Sequence, residues 1–145
     1  MYKNILIATD GSELALKAVT QGLELAKAVN AKATVVTVTE HWATAVSGEM
    51  AVAFPVEEYE KGCAALAAKN LRGATDVAKT VGIECETLHV KDQFPADGII
   101  ETALKRKCDL IVMSSHGRRG VSRLLMGSQA NRVVTHSSIP VLVCR

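Results

Sequence analysis

Five short apolar runs alternate with stretches whose apolar positions recur at helical spacing. The runs are NILIATD (4–10), KATVVTVTE (32–40), ECETLHV (84–90), DLIVMS (109–114) and PVLVCR (140–145). Each is rich in β-branched or aliphatic residues, has strand length, and is flanked by turn or helix-forming residues. Between the first two, residues 13–29 set Ala15, Ala18, Val19, Gly22, Leu25, Ala26 and Val29 on one helical stripe. Ser12 stands where an N-cap is expected and Asn30 where the helix should stop. Residues 57–81 repeat the pattern through Cys63, Leu66, Leu71, Ala74, Ala78 and Val81, with Gly82 as the stop. Residues 96–107 and 128–137 give two shorter helices, and Ser128 is the expected cap of the last.

Strand and helix alternate throughout, which predicts a parallel sheet covered by helices on both faces with right-handed crossovers. The connection HWATAVSGEMAVAFPV (41–56) is long for such a fold and shows no clear period; loops of that length often serve as lids or binding segments. With no linker, repeat or low-complexity tract, residues 1–145 read as one domain.

Composition sharpens this picture. Apolar residues make up 48% of the chain but aromatic ones only 3%, so the core is aliphatic, as in sheets buried on both faces. A net charge of +2 argues against nucleic-acid binding driven by bulk charge. No apolar run approaches the ~20 residues of a membrane span, and MYKNILIATDG reads as a strand rather than a secretion signal. Cys63, Cys85, Cys108 and Cys144 are widely and irregularly spaced. They suggest neither a zinc site nor a redox pair, and fit a reduced, cytoplasmic setting.

Ligands of open parallel sheets sit beyond the C-terminal strand ends, where the strand order reverses. Two strand exits carry unusual chemistry. ATDGS (8–12) ends a strand in an acid, a glycine and a helix cap; SSHGRRGVSRLLMGS (114–128) combines Gly117, Gly120 and Gly127 with Arg118, Arg119 and Arg123. Glycines allow close backbone approach, and a helix start at Gly127–Ser128 offers free N–H groups to a phosphate. Asp10 could accept from sugar hydroxyls. Each piece also has a structural reading: Asp10 can bond its own turn amides, the arginines can be a solvated surface, and the serines can be caps. Neither a Walker loop nor a G-x-G-x-x-G follows any strand. No Asp or Glu lies between His116 and the C-terminus, so the chemistry points to holding phosphates rather than cleaving them. His116 has no acid nearby in sequence and is a weak catalytic candidate; His41, His89 and His136 are weaker.

YKNILIATDGSELA at the start and CDLIVMSSHGRRGVSRLLMGSQANRVVTHSSIPVLVCR at the end resemble the universal stress protein family, over essentially the whole chain. The resemblance implies a Rossmann-like α/β fold of the adenine nucleotide alpha hydrolase-like kind, a five-stranded parallel sheet in the order 3-2-1-4-5. Nucleotide-binding members carry Gly, two residues, Gly, nine residues, Gly, then Ser or Thr. Here the second and third glycines are Gly117 and Gly127, the last position is Ser128, and Ser114 replaces the first glycine.

By the same resemblance Ala8, Thr9 and Asp10 lie beside adenosine, with Asp10 toward the ribose, and Val38 and Met113 line an adenine slot. Ser114, Gly117 and Arg118 face the ribose and phosphates, and Gly127, Ser128 and Gln129 hold phosphates. The implied ligand is ATP, with Mg2+ held mainly by the phosphates. The implied function is a stress-response or regulatory protein that binds rather than catalyses, with at most slow ATP hydrolysis. A homodimer through residues 140–145 is implied too, and an apolar edge strand there invites such pairing on its own. Two other readings stand beside this one. Ser114 could exclude the nucleotide from an otherwise similar dimer, or the protein could be a slow ATPase; a regulatory protein partner is open in each case.

Overall fold

The computed structural model describes residues 1–117 and 125–145. Its strands are β1 (Asn4–Ala8), β2 (Lys32–Val38), β3 (Glu86–Val90), β4 (Leu110–Ser114) and β5 (Val141–Cys144). The helices are α1 (Glu13–Val29), α2 (Trp42–Ala45), α3 (Glu49–Ala53), α4 (Val56–Val81), α5 (Pro95–Lys105) and α6 (Ser128–His136). All strand pairs are parallel, and the sheet order is β3-β2-β1-β4-β5, as the sequence and the resemblance led one to expect.

Central strands are apolar on both faces because both faces are covered. Every residue of β4 is buried, as are Ile5 to Ala8 of β1. One face packs Ile5, Ile7, Val35 and Val112 under α1 and α4; the other packs Leu6, Val36, Ile111 and Met113 under α5 and α6. Ser12 caps α1 by accepting from Ala15 N–H at 3.2 Å, and Asn30 closes that helix in a left-handed conformation (φ 54°). Lys27 Nζ donates to Val81 O at 2.6 Å, so α1 supplies a cation at the negative end of α4.

Three expectations need correction. The 41–56 connection contains α2 and α3, two helices too short for a periodic signal to register. In α4 the buried residues are Ala67, Asn70, Ala74 and Ala78. Leu66 is exposed and Cys63 only half-buried, because the first half of this 26-residue helix overhangs the sheet. Ser128 is the first residue of α6 rather than its cap; Gly127 holds the cap position, without a side-chain bond.

The outer ends of β1 and β4 are tied by Asp109, whose carboxylate accepts from Lys3 N–H (2.7 Å) and Asn4 N–H (3.0 Å). Burial alone would raise its pKa. The N–H groups of Lys3, Asn4 and Asp109 itself, with the N-terminal charge, outweigh that and hold it below its ordinary 3.8. A depressed carboxylate stabilises the fold above its unfolded pKa and loses that contribution as pH falls through the folded value. Asp109→Asn is therefore expected to cost about 1 kcal/mol at pH 7. Urea titrations should show the gap to the parent closing as pH falls below 3.8.

Candidate functional site

At the C-terminal ends of β2, β1 and β4 lies a cavity of about 510 Å³, the size of a small-molecule site. Thr9 leaves β1 and is still bonded to the sheet, donating its N–H to Val36 O (2.9 Å). The chain then turns sharply. Asp10 Oδ1 accepts from Ser12 N–H (2.9 Å) and Thr9 Oγ1 from Gly11 N–H (3.1 Å), an Asx-type turn that aims the acid along the cavity rim.

The β4 exit approaches from the other side. Ser114 donates its hydroxyl to His116 O (2.7 Å), so the side chain at the pattern's departing position is engaged within its own loop. A Cβ added at Gly117 would overlap Asp10 Oδ2; glycine here lets the two strand exits meet. At Gly127 the N–H donates to Ser115 O (2.7 Å), and a Cβ would lie 2.8 Å from that same oxygen. This explains why glycine, rather than a better capping residue, holds the cap position of α6: its backbone packs directly on the β4 loop. With no side-chain cap, the first N–H groups of α6 are left to solvent or a ligand. Ser128, Gln129 and Ala130 all line the cavity.

Ten of the eleven site residues expected from sequence line this one space: Ala8, Thr9, Asp10, Val38, Met113, Ser114, Gly117, Gly127, Ser128 and Gln129. Arg118 lies outside the described residues. Gln129 does a second job, its amide oxygen accepting from Ala96 N–H (3.2 Å) in the first turn of α5, and Arg132 Nε lies 3.6 Å from Asp97. The N-terminal end of α6 is thereby locked to α5.

Sequence reasoning missed Glu40, Pro95, Ile99 and Ser115, and undervalued His116, which all line the cavity. His116 was visible within the glycine pattern, and its Nδ1 lies 3.1 Å from Ser115 Oγ. Pro95 at the start of α5 carried a weaker signal, a helix beginning at the same end of the sheet. His89, by contrast, is bonded to Thr39 Oγ1 (2.8 Å), and burial, then Lys91, lowers its pKa. His41 accepts from Ala43 N–H (3.1 Å) as the cap of α2.

The lining is chemically divided. Val36, Val38, Ile99 and Met113 offer apolar walls suited to a flat ring, whereas Asp10 and the start of α6 offer an acceptor and a set of donors. Asp10 and Glu40 are the only carboxylates among the described lining residues. No cluster of three metal-ligating side chains occurs among the described residues.

A parallel sheet in this order, with a divided cavity across its reversal point, defines a Rossmann-like class of α/β domain. Within that class the chain belongs to the universal stress protein family, whose model matches residues 1–145. It is 32% identical over 149 residues to a universal stress protein of Methanocaldococcus jannaschii, covering 100% of this chain and 83% of that one. A universal stress protein solved in complex with cAMP is 30% identical and superposes with a TM-score of 0.75, over 99% of this chain and 97% of that one. The UspA protein of Lactobacillus plantarum is 28% identical, with a TM-score of 0.83 over 99% and 98% of the two chains.

Proposed function

We propose that the protein binds an adenine nucleotide, with Mg-ATP the leading ligand, and acts as a dimeric stress-response or regulatory protein without strong catalysis. The observation that carries the reading is the meeting of the two strand exits. Gly117 abuts Asp10 and Gly127 abuts Ser115, leaving the uncapped start of α6 beside an apolar slot. Adenine fits the walls of Val38 and Met113, the ribose hydroxyls face Asp10, and the phosphates face the N–H groups of residues 128–130. The relative solved with cAMP supports an adenine ligand for this family architecture.

Magnesium would enter with the nucleotide and be held mainly by phosphate oxygens, since Asp10 and Glu40 alone make a poor protein donor set. The same shortage of carboxylates favours holding over hydrolysis. The Ser114 departure is tolerated on this reading, because its hydroxyl is bonded to His116 O and does not stand in the ligand's way. Residues 1–145 act as a single domain, and four free cysteines suit a cytoplasmic protein. Among the described residues no helix is long and apolar enough to cross a membrane.

The test is mass spectrometry of nucleotide released from freshly purified protein, followed by calorimetric titration with Mg-ATP and with cAMP. Micromolar binding of Mg-ATP is expected. Silence up to millimolar ATP, reversed by Ser114→Gly, would establish instead that the serine closes the site.

The dimeric reading is supported by β5, an edge strand whose Leu142 is exposed. Antiparallel pairing with the same strand of a second copy would satisfy its free edge. Leu142→Asp is expected to shift the protein from dimer to monomer in sedimentation equilibrium at micromolar concentration. A parent protein already monomeric there refutes the pairing.

A further inference from the structure

The least expected surface lies away from the cavity. From residue 41 to residue 66 none of the described residues is buried, although this stretch is more apolar than polar. Val52 is 89% exposed and Met50 64%, and Val56, Phe54 and Leu66 are partly exposed, at 42%, 38% and 37%. The first half of α4 carries a stripe of Val56, Tyr59, Cys63 and Leu66 at helical spacing, none of them buried. Together α2, α3 and this half-helix form an apolar arm.

Its base is built rather than loose. Trp42 Nε1 donates to Phe54 O (2.8 Å) and the Tyr59 hydroxyl to Glu40 O (2.7 Å). The Phe54 and Tyr59 rings meet edge to face at 6.3 Å between centroids. An ordered apolar surface of this extent marks an interaction site.

Charge decides among the occupants. Residues 41–66 hold Glu49, Glu57, Glu58 and Glu60 against a single basic residue, Lys61, in a chain whose net charge is +2. A two-fold contact between arms would set these carboxylates against their own copies. An anionic membrane surface would repel them as well. A helix with one apolar face and flanking lysines or arginines satisfies both the apolar stripe and the acidic rim. We infer that the 41–66 arm is a docking surface for a basic amphipathic helix of a partner protein.

Trp42 is the only tryptophan in the chain and sits in the arm, so its emission reports binding directly. The probes are an amphipathic Leu/Lys peptide of about 18 residues and its Leu/Glu counterpart, roughly five helical turns each. The Leu/Lys peptide is expected to shift Trp42 emission saturably, at micromolar concentration, and the Leu/Glu peptide to leave it unchanged. Met50→Asp with Val52→Asp should weaken binding at least about tenfold. Glu57→Lys, Glu58→Lys and Glu60→Lys together should transfer the preference to the Leu/Glu peptide, a gain that a misfolded protein cannot show.

Equal response to both peptides, response to neither, or indifference to the Met50/Val52 changes would overturn the proposal. So would self-association of the free protein that the Met50/Val52 changes abolish, since the arm would then belong to a second copy. Preferential binding to phosphatidylserine vesicles would overturn it in favour of a membrane.

Discussion

Gly117→Val is expected to lower Mg-ATP affinity by one to two orders of magnitude while leaving the melting temperature nearly unchanged. The added Cβ overlaps Asp10 Oδ2, so either the carboxylate swings off the rim or the β4 loop retreats from it. Asp10 is braced by Ser12 N–H at 2.9 Å, and displacing it would take the carboxylate acceptor away from the proposed ribose position. A hydrogen bond to a charged group contributes about 1.5–3 kcal/mol, which sets the expected factor. The fold should be indifferent, because residue 117 is exposed and no core side chain touches it. The assignment to Asp10 can be checked by a double-mutant cycle. In an Asp10→Ala background, Gly117→Val should cost little further affinity, because the group it disturbs is already gone. Full additivity, or wild-type binding by the single variant, would mean that the two strand exits do not form the ribose end of the site.

How legible this arrangement was in the sequence depends on the kind of signal. α1 spans residues 13–29 as expected, because Ser12 and Asn30 mark its ends with two independent conformational preferences. The strands β1 and β2 end two residues earlier than their runs suggested; in β1, Thr9 keeps a single bond to Val36 O and Asp10 already belongs to the turn. Leu23, fully buried, escaped a stripe that instead took in Leu25 at its margin; a straight helix presents a face wider than one residue per turn. The period of α4 was read correctly as helical, but period alone does not say where the sheet beneath it ends.

At the site, the two motif-bearing exits could be read because each is continuous in sequence. Glu40, Pro95 and Ile99 could not, since they join the cavity only once the sheet order brings three strand ends together. Gly127 shows the opposite failure. Capping preference pointed to Ser128, and a close approach to Ser115 O, invisible in sequence, decided for glycine.

Gly11→Ala should be the most damaging small substitution in the chain, costing about 2–5 kcal/mol and lowering the melting temperature by roughly 6–15 °C. Two causes add. Gly11 has φ +79°, a left-handed conformation that costs about 1–2 kcal/mol with any Cβ. The new Cβ would also overlap the amide of Asn70, which α4 holds against the turn at 7% exposure, and overpacking of this kind costs about 1–3 kcal/mol. Asn70→Ala opens room for the methyl but leaves the backbone conformation untouched. The double variant should therefore be less unstable than the sum of the singles by about the packing cost, measured by urea denaturation with m-values compared. A single variant within 0.5 kcal/mol of the parent would show that the turn relaxes freely, contrary to this account. Because Gly11 lies between Asp10 and the Ser12 N–H that braces it, the same variant should also bind Mg-ATP more weakly at temperatures where it remains folded. Gly117→Val, in contrast, should separate the two properties, losing affinity without stability. The difference between the two glycines follows from what each would strike: one a half-buried carboxylate on the cavity rim, the other a buried amide of α4 packed against the turn.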